Sequence, residues 1–237
     1  MKTYLYLPLL VLVISCTRKS ASASNGNNND SIAVIDKAKD TLVVGSKTFY
    51  VYSMDKSPFS PLPPADIDSA EQKVIGRDGP VKRLKNTLVL TLDNGKNVSL
   101  VNKPDGNDED FTMYKYTGYI PDIKQYGVYC GYYESSGFLL VSKATGEKIK
   151  TWGTPVVSPD KKYFICPSFD LEVGYVPNGF QLFSNMDGKI TPIGAIELQQ
   201  WGPGQMKWID NKTVVAEALS YDSNMKEISH TIKMVMQ

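Results

Sequence analysis

Short runs of alternating apolar and polar residues recur along most of this chain. From residue 31 onward, segments rich in Val, Ile, Thr, Tyr and Phe fall at 41–44, 48–53, 87–92, 97–101, 126–133, 138–142, 163–166, 180–184, 213–218 and 229–235. β-Branched and aromatic side chains suit a pleated, half-buried surface, and the Gly, Pro, Asn and Asp between the runs supply turns. Asn94-Gly95 predicts a tight hairpin, because both residues tolerate positive φ. Thr145-Gly146 and Asp187-Gly188 predict similar turns. One helix is expected over 66–75, with Ser69 as its candidate cap and Glu71 and Gln72 near its start. The stretch before it holds Pro58, Pro61, Pro63 and Pro64 and reads as extended loop. The predicted class is all-β.

Internal repetition sharpens this. Pro121-Asp122-Ile123-Lys124-Gln125-Tyr126 resembles Pro159-Asp160-Lys161-Lys162-Tyr163-Phe164, and both resemble Ile209-Asp210-Asn211-Lys212-Thr213-Val214. Each is an Asp-led turn feeding a strand, and an Asp side chain can accept from backbone two residues on. The three Asp positions lie 38 and 50 residues apart. Gly137-Phe138-Leu139-Leu140 returns as Gly179-Phe180-Gln181-Leu182, and Trp152-Gly153 returns as Trp201-Gly202. A period of roughly 40–50 residues with several short strands is that of β-propeller blades. Ser158-Pro159-Asp160-Lys161-Lys162-Tyr163-Phe164 also resembles the Ser-Pro-Asp segment of WD-like propeller repeats, although the Trp-Asp dipeptide is absent. That resemblance covers 114–237 and implies a β-propeller-like body or an irregular stack of antiparallel β-meanders. A β-sandwich or barrel is the alternative.

The N-terminus differs in character. Lys2 precedes an apolar run over 5–14, too short for a helix that crosses a bilayer, which needs about 20 residues. The run ends in Val13-Ile14-Ser15-Cys16, which resembles the lipobox of bacterial lipoproteins. The resemblance implies a signal peptide over 1–15, cleavage before Cys16 and lipidation of Cys16. A plain secretory signal with an incidental Cys is the other reading. Residues 16–30 carry no large apolar side chain and read as a flexible tether, leaving 31–237 as one all-β domain. Thr at position 17, without an acidic cluster after the Cys, points by resemblance to a Gram-negative outer membrane with the body facing the periplasm. Three triplets, Asp30-Ser31-Ile32, Asp40-Thr41-Leu42 and Asp68-Ser69-Ala70, resemble bacterial O-glycosylation acceptors.

Composition narrows the chemistry. Lys and Arg total 26 against 25 Asp and Glu, so no basic surplus points to nucleic acid. One His and three Cys leave little material for a His-based triad or a Cys/His zinc site. No Gly-rich phosphate loop is present, and no cofactor is expected. Cys130 and Cys166 lie on predicted strands, as two buried thiols or as a disulfide. Asp105, Asn107, Glu109 and Asp110 alternate oxygen ligands around Gly106 without the full calcium-loop spacing. Asp170 and Glu172 share a face if extended, as a pair of glycosidase carboxylates would. The densest feature is aromatic: Tyr114, Tyr116, Tyr119, Tyr126, Tyr129, Tyr132 and Tyr133. Tyr129, Tyr132 and Tyr133, with Trp152 and Trp201, are the candidate ligand-binding residues, against the alternative that such rings only pack between sheets. The expectation is a non-catalytic, lipid-anchored envelope module that binds protein or saccharide; a carboxylate-based hydrolase is the rival.

Overall fold

The structure is a computed structural model and describes residues 38–60, 67–107 and 109–237, with side chains in the helix described from Glu71 onward. The signal, Cys16, the tether and the Asp30 triplet lie outside the described residues, as do Asp108 and Pro61–Pro64 of the proline-rich stretch. The elements are β1 (Asp40–Val44), β2 (Lys47–Met54), α1 (Ile67–Asp78), β3 (Val81–Leu84), β4 (Thr87–Thr91), β5 (Asn97–Val101), β6 (Met113–Ile120), β7 (Gln125–Gly131) and β8 (Ser136–Ser142). They continue with β9 (Lys148–Thr151), β10 (Val156–Val157), β11 (Tyr163–Ser168), β12 (Gly179–Met186), β13 (Lys189–Glu197), β14 (Gly202–Trp208), β15 (Thr213–Tyr221) and β16 (Glu227–Met236).

These strands make four antiparallel sheets, and none of them closes into a barrel. Sheet I is ordered β1-β2-β16-β15-β14, sheet II β3-β4-β5, sheet III β6-β7-β8-β9 and sheet IV β10-β11-β12-β13. Sheets II, III and IV are plain meanders. In sheet I the two N-terminal strands complete the C-terminal sheet, with β2 running antiparallel to β16 from Met54 opposite Thr231 to Phe49 opposite Met236. The fold is thus an all-β, propeller-like stack rather than a two-sheet sandwich. The sequence repeats sit at equivalent places in it. The Asp122 and Asp160 turns join the first and second strands of sheets III and IV, the Asp210 turn joins edge strand β14 of sheet I to its neighbour β15, the Gly-Phe segments open the third strands β8 and β12, and Trp152 and Trp201 follow the fourth strands β9 and β13.

Local chemistry explains the turns. Asp160 Oδ1 accepts from Lys162 N–H at 3.2 Å, and Asp210 Oδ1 accepts from Lys212 and Thr213 N–H, both at 2.8 Å. The Asp122 turn differs: Pro121–Ile123 form a short 3-10 turn ended by Lys124 at φ 54°, and the Asp122 carboxylate instead pairs with Lys161 at 2.8 Å. A hairpin forms at Asn94-Gly95, with a longer turn than the two-residue one expected: Leu92 N–H donates to Lys96 O, Asn94 Oδ1 accepts from Lys96 N–H, and of the two turn residues only Gly95 takes positive φ, 78°. The helix starts and ends later than predicted. Ser69 falls inside it rather than capping it, and the chain leaves it at Gly79, φ 63°, a position that favours glycine.

Period-two alternation builds three cores between four layers. Leu139 and Val141 of β8 join Leu88, Leu90, Tyr126 and Val128 between sheets II and III. Phe138 and Leu140, on the opposite face of β8, meet Phe164, Cys166 and Phe183 between sheets III and IV. Ile165, Phe180 and Leu182 turn the other way and pack on Phe49, Trp208 and Met234 of sheet I. The stacking order is I–IV–III–II, and no buried cluster among the described residues joins sheets I and II.

The two cysteines follow from this layering. Cys130 belongs to the II–III core and Cys166 to the III–IV core, so sheet III stands between them. Both are buried free thiols and the disulfide is not formed.

Candidate functional site

In an antiparallel meander, alternate connections emerge at opposite ends of the sheet. The β7–β8 turn, the β11–β12 loop and the β5–β6 loop therefore share one end of the stack. At the other end, ion pairs tie neighbouring sheets: Lys143 to Asp93, Lys124 to Asp187 and Lys161 to Asp122, at 2.5, 2.5 and 2.8 Å. Exposed pairs of this kind contribute little stability each.

The β7–β8 turn is tight. Tyr132 N–H donates to Ser135 O at 2.9 Å, which leaves Tyr133 at the tip. Tyr132 lies half-buried against the II–III core beside Cys130. Burial first, and the neighbouring thiol second, push its hydroxyl up to about 12. Tyr129 faces away from that core.

The β11–β12 loop, residues 169–178, is wound on two polar side chains. The Asp170 carboxylate accepts from Val176 N–H at 3.0 Å and from Gly174 and Val173 N–H at 2.9 Å. Those amides hold it down at about 2. Asn178 is buried, with Oδ1 accepting from Asp170 N–H and Nδ2 donating to the carbonyls of Leu198 and Trp201. Phe169 lies 6.5 Å from the Tyr221 ring, and the Tyr221 hydroxyl bonds Glu172. Gly202 is required beneath the loop, because a Cβ there would overlap Asn178 Oδ1 and the Phe169 ring.

This scaffold presents Tyr175 across from the β7–β8 turn. Tyr129, Tyr132, Tyr133 and Tyr175 line a shallow, open cavity of about 390 Å³, together with Asp170 and Val176. Three of the rings stay 42%, 58% and 54% exposed (Tyr129, Tyr133 and Tyr175), far from the burial of packing residues such as Tyr126. A second cavity, of about 470 Å³, shares Asp170, Tyr175 and Val176 and runs on to Glu197 and Gln199. A third, of about 440 Å³, shares Tyr129 and continues to Asn102, Tyr114, Arg83 and Lys85. The three are neighbours, each sharing lining residues with the next, along one end of sheets II, III and IV.

The helix braces the third cavity. Glu71 takes two bonds from Arg83, at 2.6 and 3.2 Å, and one from Tyr116 N–H at 2.7 Å, while Arg83 Nη2 also donates to Tyr114 O at 2.6 Å. Arg83 Nη1 is buried and makes no hydrogen bond. At the helix end, Asp78 accepts from the Tyr116 hydroxyl at 2.7 Å and Tyr119 N–H at 2.9 Å. Burial opposes its ionisation, but those bonds and Arg77 hold it below the usual carboxylate range.

Of the residues singled out from sequence, the structure brings Tyr129, Tyr132 and Tyr133 together and places Trp152 and Trp201 outside the groove. Trp201 packs half-buried on the I–IV core, and Trp152 N–H donates to Gln181 Oε1 at 2.8 Å. Tyr175 escaped the sequence reading because it lies in a loop without periodicity. Asp170 and Glu172 are loop-organising groups here: one carboxylate is taken up by backbone amides and the other by Tyr221. A carboxyl held near 2 stays ionised at neutral pH, and proton donation as a general acid is closed to it. In the β5–β6 loop Asn107 accepts from Asp110 N–H at 3.1 Å and Lys103 pairs with Asp110 at 3.7 Å. No group of three or more His, Cys, Asp or Glu among the described residues is placed to hold a metal. His230 is exposed on β16 opposite Ala218.

No known protein family matches the chain, and no curated protein matches it. Among solved structures, the crystal structure of TolB from Acinetobacter baumannii is similar at 11% identity and a TM-score of 0.26. The match covers 80% of this chain and 40% of that one, so the chain spans well under two thirds of that protein.

Proposed function

We propose that this protein is a non-catalytic binding module of a Gram-negative envelope, tethered by lipid on Cys16, probing its surroundings with the tyrosine-lined groove. The observation that carries the reading is the set of solvent-exposed rings, Tyr129, Tyr133 and Tyr175, converging on one cavity over a rigid loop. Water-facing aromatic rings held by ordered backbone serve recognition better than packing, since each offers a large amphipathic contact at small entropic cost. Asp170 and Glu172, the carboxylate pair weighed for a hydrolase, are bonded to loop amides and to Tyr221. No helix among the described residues is long and apolar enough to cross a membrane, so Cys16 supplies the attachment in this reading.

Affinity capture of the native protein from membranes tests it, set against a variant with Tyr129, Tyr133 and Tyr175 all changed to Ser. A molecule enriched by the native protein and lost from the variant supports the reading. Equal recovery with both overturns it. Metabolic labelling with a palmitate analogue tests the anchor separately: label must vanish in Cys16→Ala.

A further inference from the structure

The tyrosine cavity is one segment of a longer feature. Its neighbours share Tyr129 on one side and Asp170, Tyr175 and Val176 on the other, so the three cavities sit in a row from Asn102 to Gln199. Stacked sheets lie about 10 Å apart, and a path over three of them is on the order of 20 Å long. A single small molecule would leave most of it empty.

Three properties of the lining select the chemistry of an occupant. The first is charge. Arg83 is neutralised by Glu71, Lys115 is engaged, and the Asp170 charge is met by amides. Lys85, Glu134 and Glu197 remain, of mixed sign, which makes no field for a polyanion. The second is backbone. The third cavity runs beside the outer edge of β6, but Tyr114 N–H there donates to Asn102, Tyr116 N–H to Glu71, and Tyr114 O accepts from Arg83, while the loop amides of Val173, Gly174 and Val176 are consumed by Asp170. An extended peptide would find no row of free N–H and C=O groups to pair with. The third is the mix of flat rings with amide, hydroxyl and carboxylate groups, including Tyr133, Tyr175, Asn102 and Gln199, and no enclosed aliphatic socket for a protein anchor residue. Pyranose rings offer C–H faces for tyrosine and hydroxyls for the polar rim.

We infer that the three neighbouring cavities form one groove for an elongated, largely uncharged glycan chain. This rests on the tyrosine-face reading above and adds the ligand class and its length. Stacking on the central rings holds the middle of the chain, and the end cavities hold sugars on either side.

The test titrates the full chain with neutral β-glucan, chitin and mannan oligosaccharides, from single sugars to octamers, by calorimetry. In at least one series affinity rises about tenfold or more between dimer and hexamer and then levels. Tyr133→Ala and Tyr175→Ala, both on exposed rings, lower hexamer affinity about tenfold each. Asn102→Ala and Gln199→Ala weaken the hexamer and leave the dimer unchanged. Affinity independent of length, or no binding in any series, overturns the inference. If the capture experiment instead yields a protein lost from the tyrosine variant, the binding face stands and the glycan falls. If the tyrosine variants behave as the native chain in both experiments, both readings fall.

Discussion

Replacing Asp170 with Ala removes the acceptor on which the 169–178 loop is wound. Three backbone N–H groups, those of Val173, Gly174 and Val176, lose their partner together. A hydrogen bond to an ionised group contributes about 1.5–3 kcal/mol when shielded, and nearer 1 when water can substitute. The carboxylate is partly solvated, so the lower figure applies, and three bonds amount to about 2–3 kcal/mol. Local opening of the loop then becomes more frequent by about 30–150-fold. Amide exchange read residue by residue measures this directly, with Val173, Gly174 and Val176 accelerating by that factor while β11 and β12 keep their protection. Asp170→Asn retains one acceptor oxygen and falls between the two. The native loop has a matching pH signature. The folded carboxylate titrates at about 2, below its ordinary 3.8. A depressed carboxyl group contributes stabilisation that is whole above its ordinary pKa and drains away as pH falls from about 4 through 2. The Asn variant loses that pH dependence. Unchanged exchange at the three amides in Asp170→Ala would refute the claim that this side chain orders the loop.

Other outcomes follow from the same contacts. Leu140→Ala, fully buried between sheets III and IV, costs about 2–5 kcal/mol in urea unfolding; a loss under 1 would mean those sheets do not share a core. Gly202→Ala drives a Cβ into Asn178 and Phe169, lowers the unfolding free energy by about 1–3 kcal/mol in urea titration and loosens the same loop amides as Asp170→Ala. Cys130 and Cys166 resist thiol reagents in the native protein, since burial pushes both thiols up, Cys166 to about 12. Both react on unfolding without prior reduction, and a requirement for reductant would contradict the layering. Tyr116→Phe loses the bond to Asp78 and about 1–2 kcal/mol. Burial and that bond raise the Tyr116 pKa, so the native protein loses stability as pH climbs past about 10, where the unfolded chain ionises, and the Phe variant lacks this alkaline slope.

Strands were legible where the chain alternates cleanly. Each of the ten predicted runs falls on a strand, although Leu92 lies past the end of β4 and Tyr132 and Tyr133 past the end of β7, and the Asn94-Gly95, Thr145-Gly146 and Asp187-Gly188 turns fall between strand pairs. The runs at 81–84, 113–120, 148–151, 156–157, 189–197 and 202–208 were not read as strands. They are short, or interrupted by glycine and proline, or lie at a sheet margin where one neighbour is missing and less apolar surface is needed. Gly194 is such a case: it sits in β13 because Gly45 crowds against it from the β1–β2 turn, a contact no local pattern announces.

Local sequence by itself determined the all-β class, ten of the strands, the glycine turns and the recurrence of one blade-like unit. All of these are written in neighbours a few residues apart, where alternation and positive φ operate. It also marked Tyr129, Tyr132 and Tyr133, which lie on one strand and its turn. The tertiary structure alone decided that β1 and β2 close the sheet made by the C-terminal strands. It alone decided that sheet III separates the two thiols, and that Tyr175 meets the three other tyrosines while the two tryptophans do not. Each of those outcomes depends on which faces of separate sheets come to share a core. That choice belongs to the whole set of buried side chains at once and leaves no periodic trace in any single segment.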